Sequence, residues 1–245
     1  MSGDDGHSDP PGHDRVNGAA PGSSDSVPGS PDPVVNRYLG SVAKRTLDLV
    51  IGVPLAVLCS PVIAVLALGS AVSLRSWPIF VQDRVGLGGA RFRFVKIRSL
   101  PSHAPTDVDK YVVREISTTR YGSFLRNTHL DELPQLYLVC SGSMSLVGPR
   151  PEMPALLANF DPGFARARTQ VRPGCSGLWQ ISQKAGRLIA EAPQYDIIYL
   201  ANASLIVDMW IIYRTVATRL GHRPGPAPRS IRKALDEGGL SPIGG

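Results

Sequence analysis

"KRTLDLVIGVPLAVLCSPVIAVLALGSAVSLR", residues 44–75, contains an uninterrupted run without a charge from Leu49 to Leu74. This run is longer than the ~20 apolar residues that a helix needs to cross a bilayer. It begins too late in the chain for a signal peptide, and no small-residue cleavage site follows it. The sequence therefore predicts a membrane helix over residues 37–76.

Two features of this run bear on how it enters the membrane. Basic residues flank both of its ends, namely Lys44 and Arg45 before it and Arg75 and Arg84 after it. The positive-inside tendency therefore draws both ends toward the cytoplasmic face. Near the centre, Ser60 and Pro61 form a pair at which a helix is expected to bend, because proline lacks the backbone N–H. The residues alone leave a spanning helix and a re-entrant helix both open.

The remaining segments divide the chain further. Residues 1–36 and 221–245 are rich in Gly, Pro and Ser, so we expect a disordered N-terminal tail and a flexible C-terminal tail with a short helix around 230–236. Residues 77–220 are polar enough for a domain on one side of the membrane. Residues 78–86 and 91–99 alternate apolar and polar side chains, which predicts a hairpin around the turn at 87–90. The expected fold class is mixed α/β (α+β), with a small sheet.

The charge of the chain is distributed unevenly. The net charge is +6, but residues 1–36 hold six acids and one base, so the remaining chain carries +11. The strong positive charge of residues 37–245 predicts an anionic partner: nucleic acid, a lipid surface or a phosphorylated substrate. The three cysteines are isolated and show no CxxC spacing, so we expect neither disulfides nor a zinc site, and a reducing compartment.

"HLDELPQ", residues 129–135, places Asp131 and Glu132 side by side just before Pro134. The pattern from Thr128 to Asp131 is also that of a capping box, which only stabilises a helix. Pro134 favours the first turn of a helix, so we expect the acids just ahead of that turn or within it, where the helix dipole favours their ionised forms. This position suits a nucleophile, a metal ligand or a merely stabilising pair.

"SLVGPRPE", residues 145–152, holds Arg150 between two prolines, which stiffen the backbone that carries its guanidinium. Such stiffness suits a phosphate ligand. Several further bases stand close to glycines or strand ends, which favours an anion-binding surface. No recognition helix, zinc finger or RNP pattern is present, and adjacent acids repel a phosphate backbone, so nucleic acid is the weaker interpretation. With Mg²⁺, the same acids become ligands for a diphosphate complex.

Taken together and in order, these stretches resemble the bacterial sugar transferases, the monotopic polyprenyl-phosphate phosphoglycosyl transferases. The matching segments run from Lys44 to about Arg214 and are "KRTLDL", "SP", "QDRVGLGGARFRFVKIRSL", "YGSFLRNTHLDELPQL", "GSMSLVGPRPE", "VRPGCSGLWQIS" and "YDIIYLANASLIVDMWII". Single pieces such as "GPRP" are weak signals, whereas the ordered set is specific.

The resemblance implies transfer of a sugar-1-phosphate from a UDP-sugar to polyprenyl (undecaprenyl) phosphate with release of UMP, the first membrane step of polysaccharide or glycoconjugate synthesis. It implies a re-entrant membrane helix broken at Ser60-Pro61, with interfacial helices, at the cytoplasmic face of the inner membrane. It makes Asp131 the nucleophile of a covalent phosphosugar intermediate and Glu132 a Mg²⁺ ligand. A catalytically inactive, membrane-tethered binding or scaffold relative is the alternative, and a homodimer is left open.

Further roles follow from the same resemblance. Arg150 is the first choice for stabilising the diphosphate, and Asp196 is expected to reach the metal through water. Additional contacts to phosphate, uridine or sugar are expected from Lys96, Arg98, Arg126, Arg172, Gln180 and Arg187. The stretch "QISQKAGR" departs from the family's usual wording, so no sugar specificity is carried over.

Overall fold

The structure is a computed structural model that describes residues 34–106, 108, 110–222 and 225–240, with the backbone alone for positions 110 and 114. Apart from 34–36, the tail expected to be disordered over 1–36 lies outside the described residues. In chain order the elements are α1 (Val42–Leu74), β1 (Ile79–Val85), β2 (Arg91–Ile97), α2 (Lys110–Glu115), α3 (Arg120–Thr128), α4 (Gln135–Ser141), β3 (Ser145–Val147), α5 (Pro154–Leu157), α6 (Pro162–Thr169), β4 (Gly174–Ser176), α7 (Gln194–Asn202), α8 (Leu205–Arg219) and α9 (Arg229–Glu237). This is the mixed helix-and-sheet fold that the sequence predicts.

The apolar run forms α1, a helix of 33 residues, which corresponds to about 50 Å at 1.5 Å per residue. Its start is capped by Ser41, whose hydroxyl accepts a hydrogen bond from the Lys44 backbone N–H. In the described part of the chain, α1 is the one helix long and apolar enough to cross a membrane, judged by length and composition. Helical structure continues through Pro54 and Pro61.

The Ser60 hydroxyl donates a 2.6 Å hydrogen bond to the Ala56 carbonyl. The carbonyl that Pro61 leaves without its helical donor is that of Val57, four residues before the proline. Ser60 therefore bonds the carbonyl one residue before the one that Pro61 frees. Its oxygen also lies 2.8 Å from the Tyr137 hydroxyl of α4, which links the centre of α1 to the helix that follows the acid pair.

The predicted hairpin is confirmed. Strands β1 and β2 pair antiparallel with Gln82 opposite Phe94, and Leu87–Gly89 forms the connecting turn. Gly88 and Gly89 have φ values of 67° and 77°, in the left-handed region where glycine carries no steric penalty. The hairpin brings the end of β2, and with it Lys96 and Ser99, toward the acid pair.

A second sheet consists of β3 and β4, which pair in parallel with Ser145 opposite Gly174 and Val147 opposite Ser176. The described residues thus form two separate two-stranded sheets, where the sequence led us to expect one. The backbones meet closely after β3: a Cβ on Gly174 would lie 2.1 Å from the backbone nitrogen of Gly148. Only glycine permits this approach, which sets the start of the segment that carries Arg150.

The signature "KRTLDL" ties α1 to the rest of the protein through buried charges. The Lys44 ammonium lies 2.7 Å from an Asp208 oxygen and 3.5 Å from an Asp48 oxygen. Asp48 in turn accepts 2.9 Å hydrogen bonds from the Ser145 hydroxyl and the Leu146 N–H of β3. Because buried charges are costly unless they are paired and hydrogen-bonded, this network strongly specifies where α1 meets β3 and α8.

The neighbouring residue Arg45 fixes α1 against α4. Its guanidinium donates to the carbonyls of Val139 and Cys140, at 2.8 and 3.0 Å. These carbonyls belong to the last turn of α4, where helix carbonyls lack intrahelical partners and where a positive charge is favoured. The start of the membrane helix therefore stabilises the end of the helix that follows the acid pair.

The C-terminal helices complete the core. In α9, Ile231 and Leu235 are fully buried in the main hydrophobic cluster, and α9 packs against α7. Within the stretch expected to be a flexible tail, residues 229–237 therefore form a packed helix, because burial of these two side chains offsets the entropy of ordering the helix. The short helix expected around 230–236 is confirmed as part of α9.

Helix α8 has two unlike faces. Val207, Asp208 and Ile211 are buried, whereas the opposite face exposes large apolar side chains. These exposed residues are Leu205, Ile206, Met209, Tyr213 and Val216, followed by Leu220 directly after the helix. The helix thus combines a buried face with an apolar outer face.

Candidate active site

Asp131 and Glu132 lie in a short 3₁₀ turn, Leu130–Glu132, between α3 and α4. His129 ends α3 with a left-handed φ of 57°, and the chain changes direction there. The Thr128 hydroxyl donates to the Phe124 carbonyl at 2.7 Å, within α3, so it does not cap a helix at Asp131. The acid pair therefore stands just ahead of α4, as predicted from Pro134.

Asp131 is nearly fully buried, with 5% of its surface exposed. One oxygen, Oδ2, accepts a 3.2 Å hydrogen bond from the Ser99 hydroxyl. Burial, reinforced by the charge of Glu132, raises the pKa of Asp131 to about 6, although Lys96, Ser99 and Arg150 oppose the rise. A carboxylate in this state is still mostly ionised at neutral pH but is poorly solvated, which suits a nucleophile.

Glu132 has the opposite electrostatic character. Both of its oxygens accept hydrogen bonds from the two terminal nitrogens of Arg150, one of them at 3.1 Å, in a bidentate ion pair. Burial would raise the pKa of Glu132, but the adjacent Arg150 charge, its hydrogen bonds and Lys96 outweigh that effect and lower the pKa to about 2. Glu132 is therefore ionised throughout the physiological pH range.

Lys96 completes the charged centre from the end of β2. Burial lowers its pKa, while the charges of Asp131 and Glu132 oppose that effect. Its ammonium lies 5.1 Å from the centre of the Phe80 ring, a cation–π distance. The structure thus brings together four of the predicted residues: two carboxylates and two cations whose formal charges cancel.

Three of the other predicted arginines bind backbone carbonyls. The acceptors are Trp77 for Arg98 at 2.8 Å, Val113 for Arg126 at 3.3 Å and Gly142 for Arg172 at 2.9 Å. These bonds hold loops and helix ends in place. Arg187 is exposed, and its charge acts on Tyr111, which donates to Glu191. Gln180 has a buried amide whose nitrogen and oxygen find no hydrogen-bond partner among the described residues.

Asp196 contacts Arg168 of α6 and not the acid pair. It is 1% exposed, and its Oδ2 accepts a 2.9 Å hydrogen bond from Arg168. Burial raises its pKa, and Arg168 opposes the rise. Asp196 thus forms an ion pair with α6, and its water-mediated contact to a metal stays a prediction. Among the described residues, no three or more His, Cys, Asp or Glu side chains form a group able to hold a metal ion.

Sequence reasoning missed three residues at this centre. Ser99 donates to Asp131, and its only signal was its place at the end of β2. Arg168 donates to the Arg150 carbonyl, a contact that no local pattern indicates. Arg219, at the end of α8, acts on the site through its charge: burial and then the Arg219 charge lower the pKa of His129, and the charge of Glu132 acts on Arg219.

Comparisons with known proteins match this chain to one family. The model of the family "Bacterial sugar transferase" matches residues 39–222. A UDP-glucose:undecaprenyl-phosphate glucose-1-phosphate transferase from Caulobacter vibrioides is 37% identical over 202 residues, covering 79% of this chain and 74% of that protein. A protein of the same name from Xanthomonas campestris pv. campestris is 33% identical over 208 residues, covering 78% of this chain but 43% of its own length.

A third relative is nearer to this chain in length. The exopolysaccharide production protein ExoY of Sinorhizobium fredii is 32% identical over 197 residues, covering 74% of this chain and 86% of that protein. The chain thus spans less than half of the Xanthomonas relative and most of the Caulobacter and Sinorhizobium ones. The chain belongs to the bacterial sugar transferase family.

Proposed function

We propose that this protein transfers a sugar-1-phosphate from a UDP-sugar to polyprenyl phosphate and releases UMP, as the first membrane step in building a polysaccharide or glycoconjugate. The observation that carries the proposal is the pair of adjacent carboxylates with opposite environments, Asp131 with a raised pKa and Glu132 paired with Arg150. The names of the Caulobacter and Xanthomonas relatives describe such a transfer for glucose, and they support this reaction class.

In the proposed mechanism, Asp131 is the nucleophile of a double displacement. The Ser99 hydroxyl donates a hydrogen bond to Oδ2 of Asp131. An Asp131 oxygen attacks the β-phosphorus of the UDP-sugar, and the bond from that phosphorus to the bridging oxygen breaks, which releases UMP. An oxygen of polyprenyl phosphate then attacks the same phosphorus and frees Asp131, so that no proton is gained or lost overall.

Electrostatics decide whether an anionic nucleophile can approach a diphosphate. Lys96 and Arg150 supply two positive charges at the site, which offset the two carboxylates. Arg150 is held between two prolines and already aligned on Glu132, so little reorganisation is needed when negative charge develops. Reaction therefore requires further positive charge for the diphosphate itself.

Mg²⁺ is the proposed source of that charge. The site offers this ion one ionised carboxylate, that of Glu132. This fits Mg²⁺, which is commonly held by one or two carboxylates together with water and substrate phosphates. Both Glu132 oxygens bond Arg150, so one of them would be shared. The ion would neutralise diphosphate charge. Asp196 bonds Arg168 through Oδ2, and its contact to the ion through water remains a prediction.

We propose that α1 is re-entrant and that the protein is monotopic, at the cytoplasmic face of the inner membrane. The same domain contacts α1 near both ends and at its centre, through Arg45, Ser60 and Ser73. Residues 45 and 73 are about 40 Å apart along a helix. A helix that crossed the bilayer would separate these contacts by the hydrocarbon core, so they support entry and exit on one side.

Lipid would cover the apolar surfaces that the domain leaves free. On α1 these side chains include Val50, Val57, Leu58, Val65, Leu68 and Val72, and α8 adds its exposed outer face. Both helices have polar or charged groups on the opposite side, bound to the domain. This arrangement is typical of helices that lie in a membrane interface. It supports interfacial insertion for α8 as well as for α1.

A turnover assay tests the proposed function. Purified protein in detergent or nanodiscs is mixed with polyprenyl phosphate and a panel of UDP-sugars, and released UMP is quantified. We expect Mg²⁺-dependent release with at least one UDP-sugar, and loss of release in Asp131→Asn with membrane association unchanged. Binding of UDP-sugar without UMP release across the panel would favour an inactive binding or scaffold protein. Release by Asp131→Asn near the wild-type rate would remove Asp131 from its role.

A further inference from the structure

The segment that carries Arg150, residues 149–152, is held by its carbonyl groups. The two prolines lack N–H donors, so the backbone of this segment is fixed mainly as an acceptor. Each of its four successive carbonyls accepts a hydrogen bond from elsewhere in the fold: Pro149 from the Gly174 N–H, Arg150 from the Arg168 guanidinium, Pro151 from the Arg84 guanidinium and Glu152 from the Val85 N–H. The position of the Arg150 side chain therefore depends on these donors.

Arg168 is the donor that bonds Arg150 itself. Its Nη2 donates a 2.5 Å hydrogen bond to the Arg150 carbonyl, and its Nε donates at 2.9 Å to Asp196 on α7. Its guanidinium carbon also lies 5.3 and 5.4 Å from the ring centres of Phe160 and Phe164. One planar group thus has its position determined by a carboxylate, two aromatic rings and a carbonyl.

Asp196 and Arg168 can both be buried as charged groups only because they pair with each other. Both side chains are almost completely buried, at 1% and 6% exposure. Removal of one partner of such a pair leaves an unpaired buried charge, which is strongly destabilising. The fork of arginine donates in two fixed directions at once, which a lysine ammonium cannot reproduce with the same geometry.

We infer that Arg168 and Asp196 are positioning residues that hold the Arg150 backbone so that its guanidinium meets Glu132 in the bidentate geometry. The chain of contacts is Asp196 to Arg168, Arg168 to the Arg150 carbonyl, and the Arg150 side chain to Glu132. This inference rests on the proposed function for its effect on turnover. It assigns Asp196 a role through Arg168, in place of a contact to the metal.

The first test is a double-mutant cycle on turnover. Arg168→Lys keeps the charge but loses the fork, and Asp196→Asn keeps the shape but loses the charge. Misplacement of a reacting group by 1 Å can cost about 100-fold, so we expect each variant to lower kcat by roughly 10- to 100-fold. In an Arg150→Lys background, where the bidentate contact is already lost, the further loss from either change should fall below about twofold. Full, multiplicative losses in that background would overturn the inference.

Mg²⁺ dependence separates positioning from metal binding. If Asp196 acts through Arg168, then Arg168→Lys and Asp196→Asn retain the wild-type Mg²⁺ concentration for half-maximal rate. Rescue of Asp196→Asn by excess Mg²⁺, with no such rescue of Arg168→Lys, would instead make Asp196 a metal ligand and refute the inference. Arg232→Lys, an exposed change of the same type on α9, is the matched control and should leave kcat unchanged.

A stability cycle tests the same contacts without turnover, so that failure of the proposed function is recognised separately. We expect Arg168→Lys to lower the melting temperature in the wild-type background and to lower it clearly less in Glu132→Gln, where the Arg150–Glu132 pair is already broken. Equal shifts in the two backgrounds would show that Arg168 does not act through that pair. Absence of UMP release from the wild-type protein, with unequal shifts, would reject the function and retain the positioning role.

Discussion

Replacement of Asp131 by asparagine should abolish UMP release and, at the same time, stabilise the substrate-free protein. The two side chains have nearly the same shape, and asparagine can still accept the hydrogen bond from Ser99 through its Oδ1. What changes is the charge. Burial and the neighbouring Glu132 make an ionised Asp131 unfavourable in the folded state, and this cost disappears in Asp131→Asn.

The size of the effect follows from the shift in pKa. The pKa of Asp131 is about 6 in the folded protein against 3.8 for the ordinary group. At 1.36 kcal/mol for each tenfold change in the proton equilibrium, this difference corresponds to about 3 kcal/mol at neutral pH. Between these two pKa values the folded protein binds more protons than the unfolded chain. Its stability therefore falls as the pH rises through this window, and the full cost is present above pH 6.

Glu132 provides a control with the opposite sign. Its pKa is about 2 in the folded protein against 4.5 for the ordinary group, because Arg150 and Lys96 outweigh the cost of burial. Ionised Glu132 therefore stabilises the fold above pH 4.5, and this contribution is lost as the pH falls toward 2. The same conversion gives about 3 kcal/mol. Glu132→Gln should lower stability by this amount, although the substitution is also nearly isosteric.

The assay is thermal unfolding in detergent with EDTA and without substrate, at pH 7.5 and at pH 4. For a chain of this size, 1 kcal/mol shifts the melting temperature by about 2–4 °C. At pH 7.5 we expect Asp131→Asn to melt above the wild type by several degrees and Glu132→Gln to melt below it by a similar amount. At pH 4 the advantage of Asp131→Asn should largely disappear. A lower melting temperature for Asp131→Asn at pH 7.5, or an advantage that persists at pH 4, would refute this account of the acid pair.

Three further changes test other parts of the structure. Pro61→Leu restores a helical N–H at the centre of α1 and should favour a straight, spanning helix. A labelled cysteine near Arg45 should then become accessible from the opposite face of the membrane. Unchanged labelling would mean that Pro61 does not determine topology. Lys44→Ala leaves Asp48 and Asp208 buried without their cation and should cost about 3–5 kcal/mol in chemical unfolding, whereas exposed Arg232→Ala should cost little. Gly174→Ala places a Cβ 2.1 Å from the Gly148 nitrogen and should prevent folding or separate β3 from β4, as measured by yield and melting temperature. In the control Gly225→Ala the added Cβ meets no atom within 4 Å, so this change should be neutral.

Local patterns were sufficient to predict the elements nearest the site. The alternation of residues 78–99 predicted the hairpin, and Pro134 predicted where α4 begins relative to Asp131. The placement of Arg150 between prolines predicted a stiff segment, and in the structure each carbonyl of residues 149–152 accepts a hydrogen bond. These features depend on side-chain periodicity and on the fixed φ of proline, both of which are visible in the sequence.

Contacts between distant segments were not predictable in the same way. The pairing of Arg150 with Glu132 joins residues 18 positions apart across two elements, and that of Arg168 with Asp196 joins residues 28 positions apart. The metal contact of Asp196 was expected from the family resemblance, and the sequence around Asp196 does not reveal its partner Arg168. The burial of Ile231 in α9 was missed for a related reason: a Gly- and Pro-rich composition indicates disorder unless another element supplies an apolar surface.

The adjacency of the two acids has a further consequence for stability. The charge of Glu132 is one of the causes that raise the pKa of Asp131, so the cost of ionising Asp131 depends on its neighbour. In Glu132→Gln that repulsion is absent, but Arg150 and Lys96 remain to attract Asp131. The stabilisation by Asp131→Asn should therefore be smaller in Glu132→Gln than in the wild type, and unfolding of the double variant measures the difference. An equal gain in both backgrounds would mean that burial alone raises the pKa of Asp131, and that the two carboxylates stand side by side without coupling.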